Sequence, residues 1–442
     1  MDSNTTRSTL IRNATILTMN DALDIVPGSV SVRDGRIASV GADPDARHDV
    51  TIDAEGAYLL PGFIQTHVHL CQTLFRGHAD DMPLLEWLRA RVWPMEAAHT
   101  PVTLRASTRL AAAELLLSGT TTALTMETVH DTDVVFDALE TMGLRAVVGK
   151  CMMDSDNEVP ARLQEETRAS IDESVALRKR WDGKANGRLR AAFAPRFAVS
   201  CSRELLEAVA ELSARDRVIV HTHASENRDE VAFVRRLSGG LSNLEYLAST
   251  GLATPHLCTA HCVWVTDHEQ ALMAERGVKV LHCPSSNLKL GSGLAPVAEM
   301  RARGIAVSLG ADGAACNNRL DMFDEMRLAA TLQAVRKGPG VLTARDAVWM
   351  ATREGARALS MEREIGSIEP GKRADLILVG RNGVHQAPDP DPWSTIVYAS
   401  RGADVRLTMV DGEILARDFA LVHQDVAEIA AEARTAAAAL GV

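Results

Sequence analysis

The chain has 442 residues, 46% of them apolar and 24% charged, and a net charge of −11. That length suits one large domain plus a smaller one, and no apolar run approaches the ~20 residues of a membrane-spanning helix. The acidic balance, with no basic run, argues against nucleic-acid binding as the main role. Seven scattered cysteines with no C-x-x-C pair read as reduced thiols of a cytoplasmic protein, not as a disulfide framework.

In chain order, Met1 to Thr6 lacks the charged-then-apolar signature of a secretion signal. Residues 9–60 read as short strands broken by turns: Leu10–Thr18, Val30–Val32 and Arg36–Val40, with Asp34-Gly35 and Gly41 as punctuation. Comparable runs, Ala374–Val379 and Val405–Val410, return near the C-terminus. Two β-rich flanks around a long middle predict one small β-sandwich domain closed by both termini, over 1–60 and 365–425, with 426–442 as a C-terminal helix.

The middle, 61–364, alternates short β-branched runs with helical stretches such as Pro101–Leu117 and Arg203–Ala214. Candidate strands end near His69, Met126, Met153, Arg196, His223, His261, Cys283 and Asp312. Eight such units over roughly 250 residues are the pattern of a (β/α)8 barrel of the TIM type. A doubly wound open sheet is the alternative, but no G-x-G-x-x-G follows the first strand. The fold class is therefore α/β, a (β/α)8 barrel with a small β-domain.

Chemistry concentrates at the predicted strand ends. Pro61-Gly62-Phe63-Ile64-Gln65-Thr66-His67-Val68-His69 ends in two histidines spaced i, i+2, which a strand points to one face. Alone, such a pair fits one packed and one solvated histidine better than a metal site. Further on, His221-Thr222-His223 is followed by Glu226, Thr259-Ala260-His261 ends another run, and Ala311-Asp312-Gly313 ends the last. Together they bring metal-type nitrogen and oxygen donors and a carboxylate for proton transfer to one rim, where barrel active sites lie.

With those residues in view, the chain from about 9 to 420 resembles the mononuclear-zinc aminohydrolases of the amidohydrolase superfamily. The resemblance implies that His67, His69, His223 and Asp312 bind one Zn2+ (Fe2+ or Mn2+ being alternatives). It implies that Glu226 shuttles protons, that His261 polarises the reacting group, and that Asp312 also takes a proton. His221 fits no catalytic role in that pattern and is expected to be structural; His282 is expected to support the ligands from behind. The implied reaction is hydrolytic release of ammonia from a small molecule, by a cytoplasmic homo-oligomer acting on neither nucleic acid nor membrane.

Two substrate patterns are mixed. Gln72, Arg196 and His223-Ala224-Ser225-Glu226-Asn227-Arg228-Asp229-Glu230 resemble guanine deaminase. By contrast Arg76-Gly77, Asp80-Asp81, Glu86-Trp87-Leu88, Trp93-Pro94-Met95-Glu96 and Ser285–Gly291 resemble deaminases of S-adenosylhomocysteine, methylthioadenosine and 5′-deoxyadenosine, in which the position of Glu96 grips the ribose hydroxyls. The expected substrate-binding set is Gln72, Glu96, Arg196, Trp93, Lys150 and Asn317. Lys150 would meet an acidic tail, or else a backbone carbonyl. An adenosine-type nucleoside is the leading expectation; guanine, another oxopurine or a pterin, and an s-triazine, are the alternatives.

Overall fold

A computed structural model describes residues 8–41, 47–155 and 159–441. The barrel is made by β6 (Phe63–His69), β7 (Thr120–Met126), β8 (Arg145–Met152), β9 (Leu189–Pro195), β10 (Val220–Ala224), β11 (Leu257–His261), β12 (Lys279–His282), β13 (Val307–Leu309) and β14 (Asp312–Gly313). Every pairing among them is parallel. The last two are one interrupted eighth strand: β13 pairs with β12, and β14 pairs back onto β6, which closes the ring. The break falls at Gly310, where a Cβ would lie 2.5 Å from the His67 carbonyl oxygen. Only glycine lets the eighth strand approach the first that closely. The predicted strand ends agree with these to within a residue, except at this interrupted strand.

Helices cover the outside. Pro101–Leu117 begins with proline at its first turn and a Thr100 capping box; Arg203–Asp216 is capped by Ser202. Both starts follow from the preference for hydroxyl caps and first-turn proline. The C-terminal helix, Val426–Leu440, starts at Asp425 and ends at Gly441 in the left-handed conformation.

The flanks meet as expected. β1 (Ser8–Leu17), β2 (Ile25–Arg33), β3 (Arg36–Gly41), β4 (Val50–Asp53) and β5 (Tyr58–Pro61) join β15 (Leu376–Val379), β16 (Val405–Val410), β17 (Glu413–Arg417) and β18 (Ala420–Leu421). They form one mixed sheet that branches at β1, whose two halves pair with β4 and β5. The sheet wraps an apolar core drawn from both termini, including Ile11, Val30, Ile52, Leu376 and Leu407. One element was not anticipated: Pro392–Ala399 forms helical turns whose Trp393, Ile396 and Val397 join the barrel's core. Among the described residues, all seven cysteines are free and buried, and no helix is long and apolar enough to cross a membrane.

Candidate active site

The C-terminal ends of the barrel strands carry the site. His67 and His69 leave β6 on one face, His223 lies in β10, and Asp312 opens β14. One donor atom from each of the four lies within 4.8 Å of the others. The Nε2 atoms of His67 and His69 are each 3.2 Å from Asp312 Oδ1, and those of His69 and His223 are 3.3 Å apart.

Hydrogen bonds on the far side of each ring decide what these atoms are. His69 Nδ1–H donates to the Met126 carbonyl at 2.7 Å, and His223 Nδ1–H to the Arg196 carbonyl at 2.7 Å. A carbonyl only accepts, so the ring proton is held at Nδ1 and Nε2 keeps its lone pair. Burial pushes His67 down to about 4 and His223 well below the usual imidazole range. Burial raises Asp312, but the facing His67, His69 and His261 together outweigh it and hold the carboxyl well below its ordinary value. With their Nδ1 protons held on the far side, the His69 and His223 Nε2 lone pairs 3.3 Å apart repel unless a cation lies between them. His67 Nε2 is moreover buried with no hydrogen-bond partner. The cluster therefore fits a metal ion, and three nitrogens with one carboxylate suit a borderline-soft divalent one.

Beside it lies a proton-transfer pair. Glu226 Oε2 is 3.4 Å from His261 Nε2, which is 3.9 Å from Asp312 Oδ2. Burial, aided by the Asp312 charge, pushes Glu226 up to about 7. For His261 burial acts downward, but the Glu226 and Asp312 charges outweigh it and raise the ring. The two groups are thus placed to share one proton. The turn carrying Glu226 is pinned by the buried Glu230 carboxylate, which accepts the backbone N–H groups of Ser225 (3.1 Å) and Glu226 (2.7 Å). Ser225, His261 and Asp312 all have left-handed φ, at 53°, 71° and 65°. Such strain in non-glycine residues concentrates where side chains are aimed at a site.

Several supporting residues carried no signal that the sequence reading used. Asn287 Oδ1 accepts from His261 Nδ1–H at 2.9 Å, Ser286 Oγ–H donates to Asp312 Oδ2 at 2.7 Å, and Ser292 Oγ–H donates to Glu226 Oε1 at 3.2 Å. Asn287 and Ser286 lie in the Ser285–Gly291 segment read above as a substrate-class pattern, and Ser292 directly follows it. His282 is buried with neither ring nitrogen bonded to protein.

The walls of the pocket above the cluster include Gln72, Leu84, Trp87, Leu88, Arg196, Phe197 and Leu290. Of the expected binding residues, Gln72 and Arg196 line it. Glu96 lies behind them as a buried ion pair: Arg196 Nη1–H and Nη2–H donate to its two oxygens at 2.5 and 3.2 Å, and Gln72 Nε2–H donates at 2.9 Å. The residues of the two substrate patterns thus form one cluster.

The other three do not line the pocket, and Lys150 meets a backbone carbonyl, the second of the two partners expected for it. Lys150 donates to Glu165 at 2.5 Å and to the Cys151 carbonyl at 3.1 Å, and approaches Glu173 on the helix outside β8. Its parity on the strand turns it away from the barrel's mouth. Trp93 is buried in the core, whereas Trp87 faces the pocket. The π-helical turn Leu88–Val92 between them breaks the 3.6-residue period that would have related the two faces. Asn317 is consumed as a brace, donating to the Ala311 carbonyl at 2.7 Å and to Glu325 at 2.8 Å.

Comparison with known proteins agrees with this geometry. Residues 58–415 match the model of the amidohydrolase family. The chain is 42% identical over 438 residues (98% of each chain) to the 5-methylthioadenosine/S-adenosylhomocysteine deaminase of Symbiobacterium thermophilum. It is 43% identical over 402 residues, 90% of this chain and 91% of the other, to the 5′-deoxyadenosine deaminase of Methanothermobacter thermautotrophicus. Its structure superposes on an adenosine deaminase from Xanthomonas campestris with bound zinc, with a TM-score of 0.92 and 32% identity over 98% of this chain and 99% of that one. On the strength of the barrel, its rim of convergent donors and these matches, the chain belongs to the amidohydrolase family.

Proposed function

We propose that the protein is a zinc-dependent hydrolytic deaminase that releases ammonia from an adenosine-type nucleoside: 5′-deoxyadenosine, methylthioadenosine, S-adenosylhomocysteine or adenosine. The observation that carries this is the convergence of four lone-pair donors beside the Glu226–His261 pair, at the floor of a pocket walled by apolar and aromatic side chains. The relatives whose sequences match over nearly their whole length act on such nucleosides.

In this reading His67, His69, His223 and Asp312 hold the metal. A divalent cation there supplies Lewis acidity and brings the pKa of a water to roughly 7. Asp312, oriented by Ser286, accepts the proton of the attacking water. Glu226, held up to about 7 by burial, gives a proton to a ring nitrogen and so removes the ring's aromatic resistance to attack. His261, with Nδ1 fixed by Asn287, presents Nε2 to the centre that loses ammonia. Within the nucleosides, the pocket wall favours neutral 5′ groups. Arg196 is the one cationic residue among its described lining residues and is already paired with Glu96, so an amino-acid tail would find no free positive partner.

One observation favours a second reading, a guanine, oxopurine or pterin deaminase. Gln72 and Arg196 face the pocket while Glu96 is engaged by both, which leaves a base reader more exposed than a diol reader. Ammonia release from adenosine, 5′-deoxyadenosine, methylthioadenosine, S-adenosylhomocysteine, guanine and an aminotriazine separates the readings; turnover of guanine alone would overturn the first. The homo-oligomeric state and cytoplasmic location implied by the family resemblance belong to the same proposal, and sedimentation and cell fractionation test them.

A further inference from the structure

Of the three clustered histidines, His69 and His223 rest their outer nitrogens on backbone carbonyls. His67 does not. Its Nδ1 lies 2.6 Å from Nε2 of His221, a residue two positions before His223. The two rings meet nearly perpendicular, with centroids 4.8 Å apart, and both are fully buried.

This partner differs in kind from a carbonyl. A carbonyl can only accept, whereas a neutral imidazole nitrogen accepts or donates according to its tautomer. If His221 carries its proton on Nε2, it donates to His67 Nδ1. The neutral His67 then carries its own proton on Nε2, aimed at Asp312 and the other donors. If His221 carries its proton on Nδ1, it accepts from His67, whose Nε2 lone pair then faces the cluster. Only the second arrangement gives three nitrogen donors. His221 Nδ1 is buried with no hydrogen-bond partner, so the contact with His67 is the ring's one hydrogen bond among the described residues.

We propose that His221 is a positioning residue of the metal centre: it accepts the Nδ1 proton of His67 and thereby makes His67 Nε2 a ligand. This rests on reading the four-residue cluster as a metal site, though not on the identity of the substrate. Outer partners of metal-bound histidines typically contribute about 10–100-fold to metal affinity, and His221 fills that place for His67.

The experiment measures zinc affinity by competition with a chromophoric chelator, on wild type, His221→Leu and His221→Gln, with circular dichroism to establish the folded fraction. His221→Leu removes the acceptor and is expected to weaken zinc binding by about 10–100-fold. His221→Gln offers an amide oxygen in its place and is expected to recover most of that loss. A merely structural role would lower thermal stability in both variants alike and leave the zinc affinity of folded protein unchanged, which would overturn the proposal. Should either variant fail to fold, selective ¹⁵N-histidine labelling of the wild type reads the tautomer directly. The expected result is a proton on His221 Nδ1 and none on Nε2, and a protonated Nε2 overturns the proposal. If wild type binds no zinc, the cluster's reading as a metal site falls instead, so the two failures are distinct.

Discussion

Two walls of one pocket are built on different principles. On the strand-end rim, His69 and His223 are each fixed by a single bond to a backbone carbonyl, so their aim follows from the barrel itself. On the side-chain wall beside it, Gln72, Glu96 and Arg196 hold one another, side chain to side chain, between elements up to 100 residues apart in sequence. Backbone partners move only if the barrel moves. A side-chain cluster can be re-formed by a few substitutions. That difference gives each wall its own way to fail.

The largest effect should come from the rim. Stripping the metal with a chelator is expected to abolish turnover, and added zinc to restore it, with elemental analysis giving one ion per chain. Two ions per chain, or active protein without metal, would break the comparison at its base. Next in size, Glu226→Gln is expected to keep the metal and to lose about 10²–10⁴-fold in kcat, the usual contribution of acid–base help. Near wild-type turnover would place the proton shuttle elsewhere.

The side-chain wall should fail through stability as well as specificity. Glu96→Ala leaves the Arg196 guanidinium buried without its counter-charge, and breaking such pairs typically costs about 3–5 kcal/mol. Removing both partners together should recover part of that loss, and denaturant melts of the two single variants and the double one measure the coupling. For kinetics the isosteric Glu96→Gln is the cleaner probe. If Glu96 reads a ribose diol, kcat/KM for a nucleoside should fall by about 2 kcal/mol, the scale of a charged hydrogen bond, while guanine is unaffected. The reverse pattern, with Arg196→Ala abolishing free-base turnover, would assign the wall to base recognition.

The same division explains what could be read from the sequence. Strand ends were legible because buried β-branched runs stop at Gly, Pro or polar residues. The donors were legible because two histidines at i, i+2 share a strand face. Partners across long sequence separations were not. Nothing local to Asn287 says that it will hold His261 26 residues away, and His221 meets His67 across 154 residues. Lys150 does meet a backbone carbonyl, one of the two partners expected for it, but its Glu165 partner lies 15 residues away. Glu96 was recognised, but its capture by Arg196 depends on how β9 and the helix Trp93–Ala98 approach each other in space.

The last expected effect concerns a rim group that, unlike Glu96, has no cationic partner among the described residues. Glu127 follows β7 directly after Met126, whose carbonyl holds His69. One of its oxygens accepts the Cys71 N–H at 3.0 Å; the other is buried without a partner. Burial pushes its carboxyl up to about 7 from 4.5, against the opposing pull of Thr125, His69 and the Cys71 N–H. The folded state therefore holds this proton more tightly than the unfolded one. Its stabilising contribution is full below about pH 4.5 and is lost as the pH rises through about 7, the sign required when the native state binds more protons. Glu127→Gln keeps the shape and an acceptor for Cys71 but cannot ionise. Its advantage over wild type should be near zero at the acid end and grow to a plateau above neutrality, with a ceiling of about 3 kcal/mol at roughly 1.4 kcal/mol per pKa unit. Denaturant melts of the metal-free protein across that range measure it, with no cation acting on the carboxylate. A gain independent of pH would mean that Glu127 is already compensated when charged, and that the rim, like the side-chain wall beside it, pairs its buried charges.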